Sequence, residues 1–243
     1  MPIVVAQVKS DFINSNVTVS VTLSPAATAN SLLFCAYNCN NQDVTNIGEP
    51  PAGFTELGSG VQSGTVFPNA MRAAYKVASG GETAISVTGT TQNRRCLVCF
   101  EVTGLTTSPF GSFAFSNSGP ISDPIVGTTH QLASLNNPVA DSIFLSVVSI
   151  GTDTANPEVW VGSWGSSFTN QAAFGTTAAA NNMAMSAGSL IASSTATRTT
   201  SRSWTTTVKH VGILAVFKAS GTPAAPVSRP PRTLVSRLAS HPQ

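Results

Sequence analysis

Charge is what this sequence has least of, with only 12 Lys/Arg and 10 Asp/Glu among 243 residues. A surface made instead of Ser, Thr, Asn, Gly and Ala repels its neighbours weakly, which suits a protein packed into an assembly better than a freely diffusing enzyme. Disorder is excluded by the 42% hydrophobic content, and the chain is long enough to bury a full core. No apolar run approaches the ~18 residues of a membrane span. The start, Met1-Pro2-Ile3-Val4-Val5, lacks the basic region, apolar core and cleavage site of a secretory leader. The expectation is a protein without a membrane partner, assembled in a cytoplasm.

Catalytic signatures are scarce too. The three histidines, His130, His210 and His241, stand without a nucleophile elbow, and the acids are scattered through turns, as at Asp43, Glu49, Asp141 and Asp153. A glycosidase needs two carboxylates on one groove, and no two acids stand out as a couple. Gly58-Ser59-Gly60 and Ser79-Gly80-Gly81 lack the Lys-Ser/Thr of a phosphate-binding loop, and calcium loops of alternating acids are missing. Cys35, Cys39, Cys96 and Cys99 have spacings that invite a zinc test. Both pairs fall in expected strands, where i and i+4 lie ~13 Å apart and i and i+3 face opposite ways, so neither pair chelates one ion. Small buried hydrophobes are the expectation, with a cross-strand contact between the pairs left open. No enzyme activity, metal or cofactor is expected.

The charge that exists is unevenly placed. Residues 1–218 hold nine Lys/Arg against all ten Asp/Glu, a net of −1, so the excess sits in the C-terminal segment, where Arg229, Arg232 and Arg237 have no acidic neighbour. Three arginines fall short of a nucleic-acid-binding face, and no nucleic-acid partner is expected.

What the sequence does have is one pattern written twice. Cys96-Leu97-Val98-Cys99-Phe100-Glu101-Val102-Thr103-Gly104 returns as Ile213-Leu214-Ala215-Val216-Phe217-Lys218-Ala219-Ser220-Gly221. Each is a short apolar run ending in Phe, a charge and a Gly, which reads as a strand buried on both faces. Three further blocks echo in the same order. Ser31–Tyr37 matches Ser142–Val148, Pro51–Thr55 matches Pro157–Val161, and Met71–Ser79 matches Met185–Ser193. Drifting offsets of this kind are what a diverged duplication leaves.

Along the chain, strands are expected at 3–8, at 16–23 where Val17, Val19, Val21 and Leu23 alternate with polar residues, and at 31–37, apolar on both faces and therefore central. Residues 38–53 are turn-rich, with Phe54 tucked beneath them. Residues 71–78 and 83–88 flank Ser79-Gly80-Gly81 and read as a hairpin. Residues 105–122, with Phe110, Phe113 and Phe115, form a loop or edge segment; strands resume near 125–132 and at 141–148. After Gly221 comes a proline-stiffened extension, Thr222 to Arg232, followed by Thr233-Leu234-Val235-Ser236-Arg237-Leu238, one amphipathic turn. The fold expected is all-β: tandem antiparallel β-sandwich, jelly-roll-like units at 1–104 and 123–221, a connector at 105–122, and an extended Pro/Arg-rich tail at 222–243.

Two sets of residues are candidates for function. In the tail, Arg229, Pro230, Pro231, Arg232, Leu234, Arg237 and Leu238 form a hook for assembly. Among Trp160, Trp164 and Trp204, Trp164 is flanked by Gly162, Ser163 and Gly165 and is the one expected at the surface, where a sugar ring could stack.

An apolar strand, then Pro50-Pro51-Ala52-Gly53-Phe54-Thr55, then Ala73-Ala74-Tyr75-Lys76-Val77-Ala78-Ser79-Gly80-Gly81-Glu82-Thr83, then Phe100-Glu101-Val102-Thr103-Gly104-Leu105, resembles the accessory virion proteins of tailed bacteriophages, over roughly Val17–Lys218. The resemblance implies a β-sandwich minor tail or capsid decoration protein. It would be multi-copy and non-enzymatic, partnered by itself and by major capsid or tail proteins. The alternative is a carbohydrate-binding module that attaches the particle to host surface glycan.

Overall fold

The computed structural model describes residues 1–41, 44–62, 68–117, 127–137, 139–152, 159–178, 181–208 and 210–219. The chain is all-β there, apart from one 3-10 turn at Val44–Asn46. The first half gives β1 (Val4–Thr22), β2 (Leu32–Cys39), β3 (Thr55–Gln62), β4 (Asn69–Val77) and β5 (Ala84–Thr103). They form one antiparallel sheet in the order β1-β5-β2-β4-β3. From the second half come β6 (Leu105–Asn117), β7 (Gly127–Leu135), β8 (Ser142–Thr152), β9 (Trp160–Val161), β10 (Thr169–Gly175), β11 (Asn182–Ala192), β12 (Arg198–Val208) and β13 (His210–Ala219). Five of these make a second sheet, β10-β11-β8-β13-β6, and the other three a small sheet, β7-β12-β9. The strands expected to be central are central: β2 and β8 are buried along their whole length and lie mid-sheet.

Both faces of each five-stranded sheet are apolar, and this sets the layering. Inward, Leu32, Phe34, Ala36, Val98 and Phe100 pack against Ile143, Leu145, Val147, Ile213 and Phe217 in one core shared by the two sheets. Outward, the first sheet closes on itself. Strands β1 and β5 pair along nearly their full length, with register breaks around Asn16. Their far ends curl over the outer face, so that Val19, Val21, Ile85 and Val87 meet Leu33, Cys35, Tyr37 and Leu97. The result is a curled half-barrel. In the second half the separate sheet β7-β12-β9 does the same work, bringing Leu135, Val159 and Trp204 onto Phe144, Val148 and Val216. Each buried face removes apolar area from water at about 25 cal/mol per Å².

Several expectations change. Residues 3–8 and 16–23 belong to one continuous strand, as do 83–88 and 96–102, because the edge of a curling sheet bends at bulges without ending its ladder. The 71–78 and 83–88 segments are not a hairpin: β4 pairs β2 and β3, and β2 lies between β4 and β5. Gly80 and Gly81, both at positive φ, turn a crossing loop that is tied to another one, through Gly81 N–H to the Ala27 carbonyl at 2.9 Å. The 105–122 segment supplies β6, an edge strand of the second sheet that follows β5 after Gly104 alone. The Pro51–Thr55 and Pro157–Val161 blocks do not correspond, since Thr55 pairs with β4 whereas Trp160 and Val161 pair with β12 in the small sheet.

Candidate functional site

The largest concavity is a cleft of about 600 Å³, lined among others by Met1, Ile3, Val139, Asp141, Ile191 and Lys218. The fold brings both ends of the described chain to it. Gly104, at φ +83°, makes the one-residue step from β5 to β6, and a Cβ there would collide with the carbonyl of Pro2. That close approach lays the first three residues along one wall. The opposite wall is the loop before β8, where Asp141 has φ 57° and its carbonyl accepts the Ala219 N–H at 2.9 Å. Ser142 Oγ donates to the Val139 carbonyl at 3.0 Å and fixes the loop's entry. Met1, Val139 and Ile191 keep 82%, 40% and 51% of their surface exposed. The cleft is thus an apolar mouth with one carboxylate and one ammonium at its sides, a surface for contact.

A shallower groove of about 360 Å³ runs beside Tyr75, Lys76, Phe110 and Lys218. Tyr75 and Phe110 stack at 5.3 Å. Lys76 is held back by Glu82 at 2.8 Å and lies over the ring of Phe54, which packs on the core of the first half-barrel as expected of a plug. Burial acts to raise Glu82, but hydrogen bonds from Lys76 and from the Ser79 backbone and hydroxyl outweigh it and hold the carboxyl at about 2. Its anionic form is therefore a fixed part of the 79–82 turn.

The other buried charges hold loops. Arg95 is fully buried and donates to the carbonyls of Ile47 at 2.7 Å, Asn46 at 2.6 Å and Thr91 at 3.1 Å. Burial lowers its pKa, though an arginine stays charged in any such setting. Arg72 reaches the Gly48 carbonyl at 2.7 Å and pairs with Glu49 and Glu56. In the second half Arg202, lowered likewise by burial, caps the carbonyls of Val161 and Gly162 and lies 5.3 Å from the Trp160 ring. Glu101 is buried, accepting from Gln7 Nε2 at 2.6 Å and the Thr28 N–H at 2.7 Å. Burial works to raise it, yet these bonds leave it below the ordinary carboxylate value.

Trp164 is 4% exposed. It stacks on Phe168 and lies against Gly188, in the core of the second half. This corrects its expected place at the surface: the small residues beside it give the indole room to turn inward, where a sugar cannot reach. Trp204 is buried and Trp160 meets it edge-on. His210 is buried beside Trp204. All four cysteines are buried and free. Cys35 and Cys99 are opposite one another on the β2–β5 ladder, and burial, with Cys99 beside it, raises the Cys35 thiol well above its ordinary value. Among the described residues no group of His, Cys, Asp or Glu is placed to hold a metal. The tail candidates Arg229, Pro230, Pro231, Arg232, Leu234, Arg237 and Leu238 lie outside the described residues. The exposed apolar cleft, which sequence reasoning missed, joins residues from four separate segments, and no local pattern marks them.

No protein-family model matches the sequence, and no curated protein or solved structure matches it either.

Proposed function

We propose that this chain is a non-enzymatic structural protein of a tailed-phage virion, carried in multiple copies on the capsid or tail. Its neighbours in that reading are further copies of itself and the major capsid or tail proteins. The observation that carries the reading is that both faces of both five-stranded sheets are spent on burial. A body filled in this way offers shape and rigidity, and its weakly charged exterior tolerates close neighbours. The sequence resemblance to accessory virion proteins supports the same reading.

The proposal includes a tandem duplication. Two features favour it: the sheet orders β1-β5-β2-β4-β3 and β6-β13-β8-β11-β10 match strand for strand, and each half covers its outer face with a β-layer. The unit boundary then falls at Gly104. The Pro/Arg-rich residues after Gly221 serve as an assembly arm. The glycan-binding alternative loses its residue, because Trp164 is interior.

Mass spectrometry of purified particles tests the reading: the protein is expected at a fixed stoichiometry, and its absence from particles removes the proposal. Deleting 222–243 is expected to abolish incorporation; undiminished incorporation removes the role of the arm.

A further inference from the structure

The cleft lies where β13 leaves the body: Lys218 and Ala219 line it, and residues 220–243 follow from that wall. Its exposed Met1, Val139 and Ile191 make an apolar mouth that nothing among the described residues covers. The matching apolar residues in the chain are Leu234, Val235 and Leu238, flanked by Arg232 and Arg237, while the cleft contributes Asp141. The charges are complementary, since residues 1–218 are net negative and the tail holds arginines without an acid. What separates the two is a spacer with Pro223, Pro226, Pro230 and Pro231. At ~3.1 Å per residue an extended proline-rich segment carries Leu234 about 45 Å from Ala219. A stiff spacer of that reach takes the apolar end away from the cleft at its own root.

We propose that the cleft of one copy receives the Leu234–Leu238 segment of a second copy, with Asp141 facing Arg232 or Arg237. This contact rests on reading the tail as an assembly arm, and it names the partner. Each chain gives one tail and takes one, a head-to-tail junction that closes into a ring or runs on as a filament.

The test uses the full chain in sedimentation velocity over a range of concentrations. Wild type is expected to grow in mass with concentration. Ile191→Asp spoils the cleft, and Leu234→Asp with Leu238→Asp spoils the tail. Each change is expected to weaken self-association at least ~10-fold while leaving the melting temperature in place, since Ile191 is half exposed. Mixing the cleft variant with the tail variant restores one junction only, so a 1:1 dimer and no larger species is expected. A mixture that stays monomeric overturns the proposal, as does association that survives either variant. A wild type that is monomeric throughout, with Arg232 and Arg237 protected from trypsin, assigns the cleft to the chain's own tail and also overturns it. Virion membership is read separately: a particle-borne protein that fails these tests keeps its structural role and loses this contact, whereas self-association of a protein absent from particles does the reverse.

Discussion

Asn38 donates from Nδ2 to Ser149 Oγ at 2.6 Å across the shared core, and the two residues occupy matching rungs of their sheets. Asn38 stands opposite Met71 and Cys96, Ser149 opposite Met185 and Val211. A residue that touches its own counterpart marks the axis of a two-fold contact, which is how two like units would pack. The surrounding bonds close the network: Ser149 Oγ donates to Asn69 Oδ1 at 2.9 Å, Asn69 Nδ2 to the Ser149 carbonyl at 2.8 Å, and the Cys96 N–H to Asn38 Oδ1 at 2.7 Å.

Asn38→Ala strands the Cys96 N–H in an apolar core and is expected to cost about 2–3 kcal/mol. Ser149→Ala removes one shared hydroxyl and is expected to cost about 1–2 kcal/mol. In urea denaturation the double variant should cost less than the sum, because both changes break the same network. Additive costs would show that the two sheets are not coupled there.

Arg95 folds over the backbone of Gly89, leaving no room for a Cβ at that position. Gly89→Ala is therefore expected to push the guanidinium off the carbonyls of Asn46 and Ile47, and to cost about 2–4 kcal/mol, as Arg95→Met does directly. Their double variant should be no worse than Arg95→Met alone. A Gly89→Ala protein of unchanged stability would deny Arg95 its role in holding the 44–49 loop.

Glu82 supplies a pH dependence of definite sign. Its carboxyl is held at about 2 against an ordinary value of 4.5. The stability it contributes is thus complete above pH ~4.5 and fades as the pH falls through 4.5 toward 2. Glu82→Gln should lose that contribution at pH 6 and differ little from wild type at pH 2. Urea midpoints for both proteins at the two pH values decide it, and an equal gap at both would place the effect in packing rather than charge.

The centres of the sheets were legible in the sequence and their closure was not. Runs such as Leu32–Tyr37 and Ile213–Phe217 are apolar on both faces, and only a mid-sheet strand satisfies that pattern. The repeat offsets were legible in part. Pairing Ser31–Tyr37 with Ser142–Val148 and Met71–Ser79 with Met185–Ser193 preserves the ladder, since Phe34 faces Tyr75 as Leu145 faces Ser189. The Cys96–Gly104 block slips: Phe34 faces Phe100, but Leu145 faces Ala215, two residues short of Phe217. A slip of two keeps every side chain on its face, so hydrophobicity alone does not reveal it. The β4–β5 crossing escaped because a glycine pair marks a reversal without saying which strand will be the neighbour. The cleft escaped because its walls are assembled by the fold from distant segments.

Trp164 offers the sharpest separation between a binding role and a structural one. Its indole nitrogen is buried with no hydrogen-bond partner among the described residues, and its ring lies so near Gly188 that a Cβ there would come within 2.8 Å. Trp164→Ala opens a cavity between Phe168 and β11 and is expected to cost about 3–5 kcal/mol. Gly188→Ala presses on the same ring from the other side, and about 1–3 kcal/mol is expected from overpacking. Paired with Trp164→Ala, Gly188→Ala should become nearly harmless, because the added methyl enters the vacated space. Thermal melts of the three variants read this directly. A stable Trp164→Ala protein that had lost binding to a polysaccharide would reverse the assignment and return the indole to the surface.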